Sequence, residues 1–246
     1  MNEFGGLKTL AIIPVYRDSD SVLKVLSKFR KEVVDEICVI LDSASRKEEE
    51  RILGTPVPVA VHLIRNEERK GIGYAIRQGI QYALEKKYSL VTILAGNNKD
   101  DPSEIPRLLE PIVTRNYDYV QGSRFLQGGR MVRHPFLRGV FSRFYPYIWT
   151  LCTDVPCTDV TNGFRAYRLK IFEDKRINIW QKWLDAYELE YYIHYKVLTL
   201  GYKTIEVPVS KVYSQRFRGG YSQISPFRDW WRIIRPLFYL RLGART

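Results

Sequence analysis

The chain has 246 residues, of which 45% are hydrophobic, and a formal net charge of +12 at pH 7. This length and composition suffice for one compact α/β core and do not require a second domain. No apolar run approaches the roughly 18 residues that span a bilayer, and the first residues lack the pattern of a secretory signal peptide. Cys38, Cys152 and Cys157 form neither an even disulfide framework nor a metal-type cluster, so we expect a reducing, cytoplasmic setting.

The first hundred residues alternate between apolar runs and stretches with helical periodicity. This pattern predicts strands at residues 9–15, 36–41, 57–64 and 88–93, with helices at 20–33, 46–53 and 73–86. Such alternation indicates a parallel sheet with right-handed crossovers. Ligands of these sheets sit beyond the carboxyl ends of the strands, so the residues that follow each strand are the first candidates for a site.

The residues at those strand ends suit a nucleotide. The ring of Tyr16 can flank a nucleobase, although a core position would explain this residue equally well. The carboxylate of Asp42 can accept the imino proton of uracil or guanine, a role that is compatible with capping the next helix. The candidates at these ends are Pro14, Tyr16, Asp18, Asp42, Ser43, Gly96 and Asn97.

A glycine-containing segment precedes the helix predicted at residues 73–86. Gly71 and Gly73 permit close backbone approach, and Arg69 and Lys70 carry charges that suit phosphate oxygens. A Gly-x-Gly pattern by itself indicates only a turn. Combined with the strand ends, it predicts that phosphates bind here.

The net positive charge comes from two segments. Residues 121–150 contain five arginines and no acid, and residues 201–246 contain nine lysines and arginines against Glu206 and Asp229. They contribute +5 and +7, which together equal the formal charge of +12. Both segments are rich in aromatic residues, a combination typical of proteins that bind anionic membranes or nucleic acid. The sequence has no recognisable nucleic-acid recognition motif, so we expect the membrane surface as partner.

Six motifs occur in an order and spacing typical of one enzyme family. They are Ile13-Pro14-Val15-Tyr16-Arg17-Asp18, Asp42-Ser43-Ala44-Ser45, Arg69-Lys70-Gly71-Ile72-Gly73-Tyr74-Ala75 with Gly79, the Asn97 turn, Gly122-Ser123-Arg124, and Asp159-Val160-Thr161-Asn162-Gly163-Phe164-Arg165. On these residues the chain resembles the family 2 inverting glycosyltransferases, most closely the dolichol- or polyprenyl-phosphate mannosyltransferase-like branch.

The resemblance implies a GT-A-type α/β fold, in which helices flank a Rossmann-like, mixed but mainly parallel sheet. We expect the glycosyltransferase domain to cover residues 1–224. A basic, aromatic and amphipathic segment is expected to follow over residues 225–246.

The turn after the fourth predicted strand departs from the resembled family. There, Asp-x-Asp and a further oxygen ligand hold Mg²⁺ or Mn²⁺ on the donor pyrophosphate, whereas the match puts Ala95, Asn97 and Lys99 at these positions. Alanine cannot ligate, an amide is a poor ligand for a hard cation, and an ammonium repels one. We therefore expect no tightly bound metal, and we expect Lys99 to stabilise the leaving diphosphate instead. Asp100 and Asp101 remain alternative ligands, although Asp101-Pro102 is more typical of a helix start.

The resemblance also implies an acceptor side. Arg124, Arg138 and Ser142 match positions that contact the phosphate of a lipid acceptor, and guanidinium groups bind phosphate in a bidentate manner. Residues 135–152 combine apolar and aromatic side chains with arginines, as expected of a helix lying in a bilayer interface. Residues 228–235 show a similar pattern, for which docking onto the protein's own core is the alternative.

Asp159 is the expected catalytic residue, because its motif lies near the acceptor in the resembled family. A hydroxyl acceptor needs a general base, whereas an ionised phosphate mainly needs positioning. Arg216 belongs to a segment that resembles the family's lid over the donor, and we expect it to contact the donor phosphates.

These features predict inverting transfer of a hexose from a UDP- or GDP-sugar to a polyprenyl phosphate. The protein is expected to bind peripherally to the cytoplasmic face of the membrane. Two alternatives stay open. One is transfer to a hydroxyl of a lipid-linked or surface glycan, and the other is a catalytically inactive partner that only binds nucleotide sugars.

Overall fold

The computed structural model of the chain describes residues 6–133, 136–213 and 228–246. Its strands are β1 (Thr9–Tyr16), β2 (Glu36–Asp42), β3 (Ala60–Asn66), β4 (Leu90–Ile93), β5 (Tyr119–Ser123), β6 (Arg130–Val132), β7 (Arg165–Arg168), β8 (Thr204–Pro208) and β9 (Ser210–Val212). Its helices are α1 (Ser19–Leu26), α2 (Arg46–Leu53), α3 (Ile72–Glu85), α4 (Ile105–Arg115), α5 (Phe136–Thr153), α6 (Glu188–Thr199) and α7 (Arg228–Arg241).

Seven strands form one sheet in the order β3-β2-β1-β4-β7-β5-β8. Strand β7 runs antiparallel to its neighbours β4 and β5, and every other pair in this sheet is parallel. The predicted mixed, mainly parallel sheet is therefore confirmed. Strands β6 and β9 form a separate parallel pair.

Local sequence determines where several helices begin. The Asp18 carboxylate caps α1 by accepting the N–H of Ser21 at 3.3 Å. A capping box between Ser45 and Glu48 starts α2, so two N–H groups that lack helical partners are satisfied. Asp101 caps the short 3-10 turn Pro102–Glu104 that leads into α4, as the Asp-Pro pair predicted.

Two predicted boundaries are wrong by three residues or more. The helix predicted at residues 20–33 ends at Leu26, after which single turns carry the chain while Phe29 remains buried. The strand predicted from residue 57 begins at Ala60, consistent with Pro58, which has no N–H to donate to a neighbouring strand.

The sheet is covered on both faces. Helices α1, α2 and α4 contribute to one apolar cluster, and α3 and α6 contribute to the other. A third cluster joins α5, α6 and α7 around the buried ring of Trp149. Helix α5 therefore packs beside the sheet and keeps its other side exposed.

The C-terminal helix α7 docks onto the protein's own core, which is the alternative left open above. Ile233 and Leu237 are buried, and the Tyr145 hydroxyl donates to the Ile233 carbonyl at 2.9 Å. Arg235 forms an ion pair with the buried Glu188 of α6. That residues 225–246 form a segment distinct from the glycosyltransferase domain remains a prediction. No helix in the described part of the chain has the length and apolar content needed to cross a bilayer.

Candidate active site

A cavity of about 490 Å³ lies at the carboxyl ends of β1, β2 and β4, where the sequence predicted a site. Its other walls come from α5, α7, β9 and the residues before α6. Most of the predicted site residues line it. They are Pro14, Tyr16, Asp18, Asp42, Arg69, Gly71, Gly96, Asn97, Lys99, Arg138 and Ser142.

Asp42 holds the glycine-containing segment against the end of β2. Its two carboxylate oxygens accept the backbone N–H groups of Lys70 at 2.7 Å and Gly71 at 2.9 Å. The residue is almost fully buried, and it lines the cavity. Because each carboxylate oxygen has more than one acceptor site, Asp42 retains capacity for a ligand N–H.

Tyr16 and Asp42 are Cα partners in the register of β1 and β2, so they lie side by side at the sheet edge. The Arg69 guanidinium lies over the Tyr16 ring, 4.4 Å from its centroid. A flat aromatic surface, a guanidinium and a carboxylate thus share one end of the cavity. This combination suits a nucleobase joined to phosphate.

Gly73 and Ser43 do not line the cavity, in contrast to the sequence prediction. A Cβ at Gly73 would lie 2.0 Å from the Leu184 carbonyl oxygen, and one at Gly71 would lie 2.3 Å from that of Asp185. The close backbone approach predicted for these glycines is therefore made by the protein's own chain. Ser43 has a φ of 63° and donates its N–H to the Asn66 carbonyl, away from the cavity.

The polar residues of the turn after β4 are occupied by contacts within the turn and by Lys211. The Asn97 side-chain oxygen accepts the Lys99 N–H at 3.3 Å. The buried Asp100 carboxylate accepts the Ala95 N–H at 3.3 Å and the Lys211 ammonium at 2.7 Å. Asp101 caps the 3-10 turn that follows. The side-chain oxygens of Asn97, Asp100 and Asp101 therefore stabilise the conformation of the turn after β4.

Three cationic side chains, Lys99, Arg138 and Lys211, line the cavity beside this turn. Lys99 lies on the turn itself, Arg138 on α5 and Lys211 on β9. Burial, together with the positive charges of Arg138 and Lys211, lowers the pKa of Lys99 to about 8. The positive charges of this cluster repel one another in a largely buried site, and a bound anion would offset that repulsion.

Lys211 was not predicted as a site residue from the sequence. It is 7% exposed, and its ammonium also donates to the Asn162 side-chain oxygen at 2.9 Å. One signal could have identified it. In the alternating run Val207, Val209, Lys211, Tyr213, a lysine occupies an inward-facing position, where a charged residue needs a buried partner.

Arg124 and Asp159 do not line the cavity, so the direct roles expected for them do not fit this arrangement. Their side chains are fully buried and form an ion pair with two short contacts, 2.6 Å and 2.7 Å. The Asp159 carboxylate also accepts the Arg124 and Thr161 backbone N–H groups. A carboxylate satisfied in this way is poorly placed to abstract a proton from a substrate.

The buried pair reaches the cavity through Thr161. Its hydroxyl accepts a hydrogen bond from Arg124 at 2.6 Å and donates to the Ser142 hydroxyl at 3.0 Å. Thr161 and Ser142 both line the cavity. Arg124 and Asp159 are thereby connected to the predicted acceptor side, where they position residues that a ligand would touch.

Helix α5 presents Arg138, Phe141 and Ser142 to the cavity. The Phe141 ring stacks on the indole of Trp230 from α7, with centroids 5.0 Å apart. This end of the cavity is therefore both aromatic and cationic. Arg216, the predicted donor contact, lies outside the described residues.

The acidic pair near the start of α6 is divided between two environments. Glu188 is buried and paired with Arg235, whereas Glu190 lines the cavity. A Cβ on Gly163 would come within 2.7 Å of a Glu190 carboxylate oxygen, so the glycine makes room for that side chain.

The order of these sequence motifs has a counterpart in known proteins. Residues 10–175 match the sequence profile of glycosyl transferase family 2. The chain belongs to this family. The predicted family membership and glycosyltransferase class are confirmed.

Two relatives of this family 2 enzyme are similar over most of its length. An undecaprenyl-phosphate mannosyltransferase from Micrococcus luteus is 30% identical over 219 residues, which cover 84% of each chain. A polyprenol monophosphomannose synthase from Mycolicibacterium smegmatis is 24% identical, covering 82% of this chain and 77% of the relative.

A solved structure shows the same fold. Glucosyl-3-phosphoglycerate synthase from Mycobacterium tuberculosis, in complex with Mn²⁺, UDP-glucose and phosphoglyceric acid, superposes with a TM-score of 0.69 at 15% identity. The match covers 98% of this chain and 82% of the synthase. The GT-A-type fold predicted for this family 2 enzyme is thus confirmed.

The residues in the turn after β4 of this family 2 enzyme do not form a suitable binding site for a divalent cation. Ala95 offers no ligand, the Asn97 amide oxygen accepts a backbone N–H, and Lys99 adds a positive charge. Asp100 is engaged by Lys211. No cluster of three or more His, Cys, Asp or Glu side chains suited to a metal occurs among residues 6–133, 136–213 and 228–246.

Proposed function

We propose that this glycosyltransferase moves a hexose from a UDP- or GDP-sugar to a polyprenyl phosphate, with inversion, at the cytoplasmic face of a membrane. The observation that carries the proposal is that one cavity joins the Tyr16 and Asp42 end to the Arg138 and Ser142 end. The second end is built on α5, whose outer face is exposed and apolar.

The donor end suits a nucleoside diphosphate sugar. Asp42 retains acceptor capacity for a base N–H, and Tyr16 offers an aromatic face beside Arg69. Lys99 and Lys211 line the same cavity. A base, then two phosphates, then a sugar would extend from Asp42 towards α5.

The acceptor end suits a phosphate on a lipid. Arg138 offers a guanidinium, which matches phosphate geometry, and Ser142 offers a hydroxyl. The opposite side of α5 is an apolar stripe consisting of Phe136, Leu137, Val140, Phe144, Tyr147, Ile148 and Leu151, all exposed. Such a stripe would insert into the interfacial region of a bilayer and hold Arg138 near the lipid headgroups. The relatives' names support this acceptor class, since they include an undecaprenyl-phosphate and a polyprenol-monophosphate enzyme.

The proposed reaction needs no proton transfer. An oxygen of the ionised acceptor phosphate attacks the anomeric carbon from the side opposite the diphosphate. The bond from that carbon to the diphosphate oxygen breaks, and its electron pair leaves on the diphosphate. The configuration at the anomeric carbon is inverted because attack and departure are on opposite sides.

A hydroxyl acceptor is the second candidate, and Glu190 is the observation that favours it. Its carboxylate faces the cavity, and a hydroxyl nucleophile requires a general base of this kind. Under the primary proposal, Glu190→Gln retains transfer to a phosphate within about tenfold, whereas loss of about a hundredfold or more would favour a hydroxyl acceptor.

Transfer can be measured directly with labelled nucleotide sugars. Each UDP- and GDP-hexose is incubated with the protein and vesicles that contain undecaprenyl phosphate, and label in the organic phase is counted. We expect transfer from one nucleotide class that depends on the lipid phosphate. Transfer to undecaprenol but not to its phosphate would contradict the acceptor. Nucleotide-sugar binding without transfer to either lipid would support the inactive-partner alternative.

A further inference from the structure

We propose that two fixed lysines, Lys99 and Lys211, neutralise the donor diphosphate in place of a divalent cation. This inference rests on the proposed function and deepens it, because it names the groups that stabilise the departing charge. Lys99 was predicted from its place in the motif. Lys211 and its partners come from the structure alone.

The Asp100 carboxylate pairs with groups of the protein and is not placed as a metal ligand. Its side chain is fully buried, and one carboxylate oxygen lies 2.7 Å from the Lys211 ammonium. The other oxygen accepts the Ala95 N–H, at the first of the positions where the family's carboxylates would stand. A carboxylate that would suit a cation is here neutralised by a protein ammonium.

Lys211 is held in a defined direction. Two of its three N–H groups donate to the side-chain oxygens of Asp100 and Asn162. Asn162 is itself anchored, because its amide donates to the Gly122 carbonyl at 2.9 Å. Lys211 lines the cavity, and among the described residues Asp100 and Asn162 are the acceptors of its ammonium, so its third N–H can donate to a ligand oxygen.

Lys99 is coupled to the same strand. Its carbonyl accepts the N–H of Val212, which directly follows Lys211, at 2.9 Å. Its ammonium lies 4.8 Å from the centre of the Tyr213 ring. The two lysines therefore come from neighbouring backbone segments, and both line the cavity that would hold the diphosphate.

Fixed ammonium groups can replace the electrostatic role of a metal. As the sugar bond breaks, negative charge grows on the diphosphate oxygen that leaves. Lys99 and Lys211 are already present in a largely buried site, so they need not be recruited during the reaction. Coulomb attraction is stronger in such a site than in bulk water.

The test is titration calorimetry of UDP and GDP, together with uridine and guanosine, in excess EDTA. We expect one nucleoside diphosphate to bind in EDTA, with an affinity that Mn²⁺ changes by less than about threefold. Lys99→Met and Lys211→Met should each weaken this diphosphate by about tenfold or more, while the nucleoside alone is affected by less than about twofold. Lys47→Met, on the exposed surface of α2, is the matched control and should leave both affinities unchanged.

Lys211→Met leaves Asp100 buried without its partner, so the double variant Lys211→Met/Asp100→Asn is measured beside it. Thermal unfolding of every variant shows whether it is folded. Diphosphate binding that requires Mn²⁺, or that both lysine variants retain, overturns this inference and leaves the proposed function standing. Absence of any diphosphate binding, with or without Mn²⁺, overturns both.

Discussion

At the scale of single residues, the most informative side chain is Lys99. It is 7% exposed, and burial together with the neighbouring positive charges lowers its pKa to about 8. A buried charge of this kind costs folding free energy. Proteins keep such groups at functional sites, where the charge meets a ligand.

Replacing Lys99 should therefore stabilise the protein. The folded-state pKa lies below the unfolded value, so the unfolded chain binds more protons between the two, and stability rises with pH across that interval. At about pH 7, Lys99→Met should raise the free energy of unfolding by roughly 1–3 kcal/mol, and the gain should shrink as the pH approaches about 10. Urea unfolding at several pH values measures both effects. A variant less stable than the wild type at neutral pH would contradict this.

Asp159 illustrates a residue that acts through others. Its carboxylate is enclosed by Arg124 and by backbone N–H groups, and Arg124 joins the pair to Thr161 and Tyr213, which line the cavity. We expect Asp159→Asn to lower the free energy of unfolding by about 3 kcal/mol, because it leaves a buried guanidinium without its counter-charge. Chemical denaturation gives the value.

The double variant Arg124→Met/Asp159→Leu serves as control and should recover much of that loss, because no unpaired buried charge remains. A direct catalytic role for Asp159 predicts a different pattern. Asp159→Asn would then keep its full stability and lose transfer alone.

At the scale of elements, α5 connects the cavity to the proposed membrane surface. One face carries Arg138 and Ser142 into the cavity, and the other exposes Leu137 by 71% and Leu151 by 79%. Inserting these leucines into lipid stabilises binding by about 1–2 kcal/mol each.

Leu137→Ser/Leu151→Ser should therefore weaken binding to vesicles of phosphatidylcholine and phosphatidylglycerol by about tenfold or more. Vesicle sedimentation measures this, and nucleotide binding should stay unchanged. Leu53→Ser is the matched control, since Leu53 on α2 is 56% exposed and lies outside the stripe. Equal loss for Leu53→Ser, or no loss for the double variant, would argue against α5 as the docking helix.

The C-terminal helix α7 tests the predicted boundary at residue 225. Leu237 is fully buried in the cluster shared with α5 and α6, whereas Phe238 is 45% exposed. If α7 is an integral part of the fold, Leu237→Ala should lower the free energy of unfolding by about 2–4 kcal/mol and Phe238→Ala by less than about 1 kcal/mol. Thermal unfolding compares the pair. Equal, small effects would instead favour a separable segment.

At the scale of the whole molecule, the first half was predictable because each element is encoded locally. Apolar runs and capping residues determine β1, α2 and β2 without help from distant residues. Strand β7 is different, since Arg165–Arg168 is short and contains two arginines. Its position between β4 and β5 is set by pairing with strands more than 40 residues away.

The candidate site also combines features that local sequence predicts with features that depend on distant contacts. The motifs brought Tyr16, Asp42, Asn97 and Arg138 to one cavity, because each follows a strand or lies on a helix whose position the fold determines. Motifs do not reveal which charges neutralise each other across the chain. The Asp100 to Lys211 contact spans 111 residues, and the Arg124 to Asp159 contact spans 35. These pairings could be found only in three dimensions.

We propose that the molecule combines a family 2 fold with a donor site in which lysine side chains take the place of a divalent cation. The most direct measurement of this claim is the initial rate of hexose transfer to undecaprenyl phosphate in excess EDTA, compared with the rate in Mn²⁺. Our account predicts that the two rates agree within about threefold and that Lys99→Met lowers both by at least about a hundredfold. Transfer that EDTA abolishes and Mn²⁺ restores would contradict it.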